Sequence, residues 1–103
     1  MTEAEWRNLP LMVKLSNIAG EVKRCTDCKL NFVQGISSKD YSEFYFNKAA
    51  TLIDRTFDNT KDLYRKKEFT DEMGELRRFL NGEVDQNYIM RYWDQFTQAL
   101  GMQ

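Results

Sequence analysis

The sequence has no histidine, one proline and only two cysteines among its 103 residues. With no histidine and only two thiols, one chain cannot supply the four ligands of a structural zinc site from those residue types. The same thiols are too few for a disulfide scaffold and are compatible with a reducing compartment. One proline and five glycines also leave little material for a turn-rich β fold. The composition therefore favours helices.

An excess of charge is absent as well, since 15 Lys and Arg face 16 Asp and Glu, a net charge of −1. This balance creates no basic field of the kind that drives binding to a phosphate backbone, so nucleic acid is not an expected partner. No apolar run approaches the roughly 18 residues of a membrane span. The segment MTEAEWRNLP is polar and acidic, where a signal peptide is basic and then apolar. We expect a cytoplasmic protein with no membrane association.

Apolar residues are plentiful: hydrophobic residues make up 42% of the chain and aromatic residues 14%. A chain of 103 residues fits one domain, because domains cluster around roughly 100 to 150 residues. We predict a single helical domain over residues 1–103. Residues 1–8 carry little pattern besides Trp6, and we expect them to be loosely attached.

Apolar residues recur at helical spacing in four segments. The predicted helices are 11–34, 39–58, 60–81 and 86–100. Gly35 and Gly82 are natural terminators, because glycine adopts a left-handed conformation at no steric cost, and Asp85 is a natural N-cap. Because the connections are short, the simplest topology for this all-α chain is an antiparallel four-helix bundle.

The stretch 41–57 carries an apolar arc over more than half of a helical circumference. Such a helix needs neighbours on at least two sides, so we predict that it is the central member of the bundle. The third predicted helix has Leu63 about 100° off its apolar line. Its beginning is therefore expected to project past the core, or the helix to kink or restart near Thr70 or Gly74.

Several segments together resemble a small, uncharacterised microbial family of all-helical proteins. They are WRNLP at 6–10, LSNIAGEVKR at 15–24, KDYSEFYFNKAATLIDRTFDN at 39–59 and YWDQFTQA at 92–99. The family pattern has a W-x-x-[LM]-P start, an L-S-N-I-G-S-E-V box, an A-L-E-L-L-D-x-T segment and a Y-F-x-x-F-x-x-A-A ending. This sequence departs from it at Ala19-Gly20, and at Cys28 where a Trp is expected. The resemblance implies an all-helical fold and no particular activity.

Ser16, Asn17 and Glu21 belong to the box shared with that family and interrupt an otherwise apolar helix. Asn17 and Glu21 lie one turn apart. They either hydrogen-bond a partner helix or point to water, and the second interpretation is favoured.

A looser similarity, in size and helix layout, is to HEPN-type helical bundles, many of which are RNases or partners of nucleotidyltransferases. Their ribonuclease motif needs a histidine a few residues after an arginine, which this chain lacks. The resemblance therefore implies a non-catalytic RNA-binding module. Its candidate basic stripe is Arg65, Lys66, Lys67, Arg77 and Arg78. Because acidic residues intervene, a solvated helix face is the favoured interpretation.

Cys25 and Cys28 form a C-x-x-C in the second half of the first predicted helix. Thioredoxin-like chemistry places such a pair after a strand and at a helix N-terminus, where the dipole lowers the thiol pKa. Incidental or core cysteines are therefore favoured over a metal or disulfide between subunits, and over redox chemistry.

Paired carboxylates provide the one enzyme hypothesis. They are Asp40, Glu43, Glu68, Asp71, Glu72 and Glu75. Their spacing resembles the acidic motifs of all-α nucleotide pyrophosphohydrolases, where oxygen ligands hold Mg²⁺ against a phosphate. This hypothesis requires at least four of them to converge. Such spacing is also common on solvated helix faces, which is the favoured interpretation.

The aromatic residues exceed what one small bundle readily buries, and large exposed apolar patches usually mark partner surfaces. The predicted interaction surface is Tyr88, Tyr92, Trp93, Phe44 and Phe46. Our leading hypothesis is a non-catalytic binding or accessory protein that needs no cofactor or metal and associates with itself, most simply as a two-fold dimer, or with a protein partner.

Overall fold

The computed structural model of the chain describes residues 2–58 and 62–98. Within these ranges it is all-helical and has no strand. Five helices follow one another: α1 (Glu3–Arg7), α2 (Leu11–Val33), α3 (Ser42–Phe57), α4 (Leu63–Leu80) and α5 (Gln86–Gln98). The four longer helices match the four predicted segments, with ends shifted by up to three residues. None of the helices in the described ranges is long and apolar enough to cross a membrane.

Local signals end and begin the helices as the sequence predicts. Gly35 and Gly82 both have positive φ, at 77° and 79°, and each follows directly after a helix C-terminus. Past Gly82, the N–H of Glu83 donates to the Arg78 carbonyl at 2.9 Å, which satisfies an otherwise unpaired helix carbonyl. At the start of α5 the Asp85 carboxylate accepts the Tyr88 N–H at 2.8 Å.

α3 begins three residues later than the predicted start at residue 39. Its first helical residue is Ser42, whose N–H and hydroxyl both donate to Asp40 Oδ1, at 2.9 and 2.5 Å. Ser37, in the connection before the helix, donates its hydroxyl to the Lys39 carbonyl at 2.8 Å. The side chain of Asp40 therefore holds a turn before the helix begins.

Two predicted helix ends lie outside the described residues. They are the first residues, 60–61, of the third predicted helix and the last residues, 99–100, of the fourth. Within the described residues, the Asp62 carboxylate caps α4 by accepting the Arg65 N–H at 3.0 Å.

The central helix is α2, and the prediction that residues 41–57 hold this place is wrong. α2 contacts α3, α4 and α5, while α3 contacts chiefly α2 and, to a lesser extent, α4. Tyr41 and Phe44, on the predicted buried arc, are 51% and 57% exposed. The core is built from Leu15, Ile18, Ala19, Val22, Cys25, Ala49, Ile53, Phe57, Phe69, Met73, Leu76, Phe79, Ile89, Met90 and Trp93. The wide apolar arc of residues 41–57 therefore led to an overestimate of how many helices pack around α3.

α4 is one continuous helix with no restart near Thr70 or Gly74. Leu63 and Tyr64 at its beginning are 72% and 83% exposed. The first alternative is therefore the observed one, since the beginning of α4 projects past the core. Apart from Phe69, all the buried side chains of α4 belong to its second half.

The N-terminal segment, expected to be loosely attached, forms the short helix α1. Thr2 caps it by accepting the Glu5 N–H at 3.1 Å, and the Arg7 side chain donates to Glu3. Trp6 is only 3% exposed. The buried Trp6 ring and a hydrogen bond from Lys14 Nζ to the Arg7 carbonyl, 3.2 Å long, therefore attach α1 to the rest of the molecule.

Candidate ligand-binding groove

A groove with a volume of about 370 Å³ lies where α1, α2 and α3 meet. Its lining residues are Thr2, Trp6, Asn17, Glu21, Lys48, Leu52 and Arg55. We call this the α1–α3 groove. Helical spacing explains the set, because Asn17 and Glu21 are one turn apart on α2 and Lys48, Leu52 and Arg55 follow one another at turn spacing on α3.

Glu21 forms the inner wall of the groove and is 8% exposed. Its Oε1 accepts a hydrogen bond from Arg24 Nη1 at 2.8 Å and lies 3.7 Å from Lys48 Nζ. Its Oε2 is buried and has no hydrogen-bond partner among the described residues. Both cations thus lie at Oε1, and Oε2 is left as an acceptor with no donor among the described residues.

The indole N–H of Trp6 is an unused donor in the same wall. It too is buried, with no hydrogen-bond partner among residues 2–58 and 62–98. A buried polar group left unpaired costs about 1–3 kcal/mol. Native proteins rarely carry such groups, and each needs an explanation. Here the residues that carry the unpaired donor and the unpaired acceptor, Trp6 and Glu21, line the same groove.

Two further groups of the groove have no hydrogen-bond or ion-pair partner in the described part of the chain. They are the side-chain amide of Asn17 and the guanidinium of Arg55, and both are exposed. The Asn17 amide offers two donors and an acceptor, and Arg55 offers a planar set of donors with a full positive charge.

The groove continues along α3 in both directions. A cavity of about 360 Å³ shares Trp6 and Arg55 with it, and another of about 350 Å³ shares Lys48, Leu52 and Arg55 and ends at Phe44. Phe44 and Thr56, which line the two outer cavities, are about 18 Å apart along the α3 axis at the standard helical rise. Arg55 borders all three cavities, so it is the common point of this surface.

Two residues of the box singled out in the sequence, Asn17 and Glu21, therefore point to one site together with Trp6. Ser16, the third, is buried, at 7% exposure, and does not line the groove. Sequence reasoning missed the contribution of Lys48 and Arg55. The only signal for it was their spacing of seven residues, which places both on one face of α3.

The structure does not bring the predicted aromatic interaction surface together. Trp93 is completely buried in the core, whereas Tyr88 and Phe44 are 45% and 57% exposed. Tyr92 is half-buried and donates its hydroxyl to Glu68 at 2.5 Å. Phe46 is half-buried beneath the Arg77 guanidinium, whose carbon lies 4.1 Å from the ring centroid. Of the five, only Phe44 borders the groove system.

The carboxylates of the hydrolase hypothesis are spread over separate ion pairs and hydrogen bonds. Asp40 lies 3.0 Å from Lys29, Asp71 lies 2.7 Å from Lys67 and Glu75 lies 2.9 Å from Arg78, while Glu43 is paired with Arg77. No three histidine, cysteine, aspartate or glutamate side chains in the described ranges could hold a metal ion together. The convergence that this hypothesis required is absent from the described residues.

Local contacts shift the pKa of three of these carboxyls. Hydrogen bonds from Arg77 hold the pKa of Glu43 below its usual value. Burial works to raise the pKa of Asp40, but hydrogen bonds from Ser42 and Lys29 outweigh it and the pKa is lowered. Burial, with repulsion from Glu75, Glu68 and Asp71, raises the pKa of Glu72. Hydrogen-bond partners thus stabilise the charged forms of Glu43 and Asp40, whereas all the causes that shift the pKa of Glu72 disfavour its charged form.

The basic stripe of the RNA hypothesis is largely committed to acidic neighbours. Lys67 pairs with Asp71, Arg77 with Glu43 and Arg78 with Glu75. Arg65 lies 3.8 Å from its own cap residue, Asp62. Such pairing reduces the positive field available to a phosphate backbone.

Both cysteines are free, and only one is accessible. Cys25 is buried in the core, and burial raises the pKa of its thiol to about 12. Cys28 is half-buried, and desolvation followed by repulsion from Asp27 raises its pKa as well. Raised pKa values disfavour the thiolate that redox or metal chemistry needs.

No known protein family, no curated protein and no solved structure matches this chain. The resemblance to a small microbial family of all-helical proteins stays a prediction.

Proposed function

We propose that this protein acts by binding, with the α1–α3 groove as its ligand site. The observation that carries the proposal is that Glu21 and Trp6, two residues lining one groove, each bury a polar atom, Oε2 and the indole N–H, with no hydrogen-bond partner among the described residues. A ligand that supplies a donor to the first and an acceptor to the second would remove both penalties at once. Small-molecule sites typically combine apolar walls with a few such polar groups.

Recognition, without covalent chemistry, suits the groups in the groove. The Glu21 carboxylate is held by Arg24 and Lys48, so its charge is already stabilised. Asn17 and Arg55 donate hydrogen bonds and orient a ligand. A non-catalytic binding or accessory role follows from this set of side chains.

The proposal also covers the topology of the helices and the cellular compartment. Short connections between the four longer helices favour an antiparallel bundle as their topology. A near-neutral chain with two free thiols and a polar surface fits the cytoplasm.

An NMR titration tests the proposal, because the two tryptophans report separately. Trp6 lines the groove, whereas Trp93 is buried in the core. Each indole N–H gives its own signal in a ¹⁵N-labelled sample. Screening a library of small polar metabolites should yield ligands that shift the Trp6 signal and the Asn17 amide while leaving Trp93 in place. If no ligand does so, or if both indoles shift together, the groove is not a binding site.

Self-association is a second candidate, favoured by the exposed apolar residues at the connection between α2 and α3. Phe32, Val33, Ile36, Tyr41 and Phe44 are 41%, 69%, 72%, 51% and 57% exposed. A two-fold dimer would bury this stretch against its own copy. Sedimentation of the wild type and of Ile36→Glu tests this, with Leu63→Glu as control at an equally exposed site in α4. A dimer that only Ile36→Glu dissociates supports it, and a monomer at all concentrations contradicts it.

A further inference from the structure

The unpaired groups of the α1–α3 groove specify what a ligand must carry. Glu21 Oε2 needs an N–H or O–H donor, and the Trp6 N–H needs an acceptor. The Asn17 amide, one turn from Glu21, takes a donor and an acceptor side by side, as a peptide group or amino-acid unit presents them. The ligand is therefore a compact molecule with a donor and an acceptor close together.

Charge narrows the class further. Of the two cations that line the groove, Lys48 faces Glu21 at 3.7 Å, and Arg55 has no ion-pair partner in the described ranges. In the adjoining cavity Arg7 is paired with Glu3 at 3.2 Å, and Lys14 donates to the Arg7 carbonyl. One unpaired guanidinium matches one negative charge, and its planar donor set fits a carboxylate.

The remaining walls are apolar. Leu52 and the Trp6 ring line the groove, and the cavity beyond Leu52 ends at Phe44. An aliphatic side chain placed here would bury apolar surface on both sides. The groove thus combines a carboxylate position, an N–H position and an apolar position.

Access to the two buried groups depends on α1. Glu21 Oε2 and the Trp6 N–H are closed off from solvent by surrounding side chains. α1 is only five residues long, and Trp6 is its one buried residue. Binding through these two atoms therefore requires α1 to shift outward.

We infer that the groove binds an α-amino-acid unit with a free carboxylate and an apolar side chain. The carboxylate lies at Arg55, the N–H at Glu21 and Asn17, and the side chain against Leu52. This chemistry is shared by free amino acids and by the carboxyl-terminal residue of a peptide. The inference rests on the groove being the ligand site.

Calorimetry and the Trp6 NMR signal, recorded with the full chain, separate the sources. The probes are leucine, the tripeptide Ala-Ala-Leu and its carboxyl-terminal amide. We expect the free acids to bind and the amide to bind at least about tenfold more weakly, since it loses the charge-assisted bond to Arg55. Leucine binding as tightly as the tripeptide identifies a free amino acid as the ligand. Tighter binding of the tripeptide identifies a peptide end.

Variants locate the contact. Arg55→Gln should weaken binding of the free acids about tenfold and leave the amide unaffected. Arg91→Gln, at an exposed position on α5 outside the groove, should change neither. Equal affinity for acid and amide, or no effect of Arg55→Gln, overturns the inference.

The two proposals fail in different ways. If only molecules without a carboxylate, such as nucleosides or sugars, shift the Trp6 signal, the groove is a ligand site but the inferred ligand class is wrong. If nothing shifts it, both are wrong.

Discussion

Lys48 of α3 reaches across to Glu21 of α2, with 3.7 Å between its Nζ and Glu21 Oε1. Arg24 holds the same oxygen from within α2 at 2.8 Å. Both cations thus lie at one oxygen of a nearly buried carboxylate, and Oε2 has no hydrogen-bond partner in the part of the chain that the structure describes. This uneven arrangement distinguishes Glu21 from the other ion pairs of residues 2–58 and 62–98, whose side chains are exposed or partly exposed.

A double-mutant cycle measures the link between α2 and α3. Glu21→Gln and Lys48→Met should couple by roughly 0.5–1 kcal/mol in the free energy of unfolding, since Lys48 is half-exposed and solvent screens the pair. Denaturant unfolding at low and high salt reports it, and the coupling should shrink with salt. The Lys23–Asp27 pair, 3.1 Å apart within α2, is a control expected to couple by roughly 0.3–0.5 kcal/mol. A coupling no larger than this control would show that Lys48 does not engage Glu21.

The Trp6 ring, rather than its N–H, should anchor α1. Trp6→Phe keeps an aromatic ring and removes an unpaired donor, so the free energy of unfolding should change by less than about 1.5 kcal/mol. Trp6→Ala should cost about 3 kcal/mol, because a buried ring is lost. Urea unfolding followed by circular dichroism checks both. Equal losses for the two variants would mean that the N–H has a partner in solution.

Glu72→Gln should stabilise the protein at neutral pH. Glu72 lies one turn from Glu68 and Glu75, and like-charged neighbours on a helix cost roughly 0.2–0.5 kcal/mol per pair. Because burial and these neighbours raise its pKa, the folded state binds this proton more tightly than the unfolded chain. The advantage of Gln should therefore be full above the folded-state pKa of Glu72 and disappear as pH falls below it. Thermal unfolding at pH 7 and pH 4 checks this, with exposed Glu83→Gln as control. A gain that persists at pH 4 would contradict it.

Arg77→Met should weaken the contact between α3 and α4. Arg77 stacks on Phe46 and pairs with Glu43, and together these contacts are worth about 1–2 kcal/mol. The pKa of Glu43, now lowered chiefly by Arg77, should rise in the variant. A carboxyl whose pKa is lowered by folding stabilises the fold at pH values above its unfolded-state pKa, and this stabilisation is lost as pH falls through the folded-state pKa. Because the variant lacks this stabilisation, it should lose less stability on acidification. NMR titration of the Glu43 carboxyl gives the direct measurement, with Asp40 as internal reference. An unchanged Glu43 titration would show that the pair does not form.

The two thiols should react at different rates. Burial raises the pKa of Cys25 to about 12, so at pH 8 almost none of it is thiolate. A thiol-specific chromogenic disulfide should label one cysteine, Cys28, in the native protein and both in urea. Cys28→Ser should then leave the native protein unreactive. Two fast-reacting thiols in the native state would mean that the second half of α2 is open to solvent.

Much of the helical layout followed from local patterns. Gly35 and Gly82 end helices because the left-handed backbone there is strained for other residues. Asp85 caps α5 by accepting the N–H of Tyr88, the third residue of that helix. The site was only half predictable. Asn17 and Glu21 stood out as polar residues in an apolar helix, but no local pattern joined them to Trp6 or Arg55, which are distant along the chain.

By itself, the sequence determined that this chain is helical, where its four long helices lie and which residues of each face are apolar, because these depend on spacing and on the conformational preferences of neighbouring residues. Only the tertiary structure decided that α2 is central, that Tyr41 and Phe44 remain exposed, and that Trp6 and Glu21 line one groove, each with a buried polar atom unpaired among the described residues. The reason is that periodicity reports the direction of a side chain, whereas burial depends on whether another helix arrives to cover it.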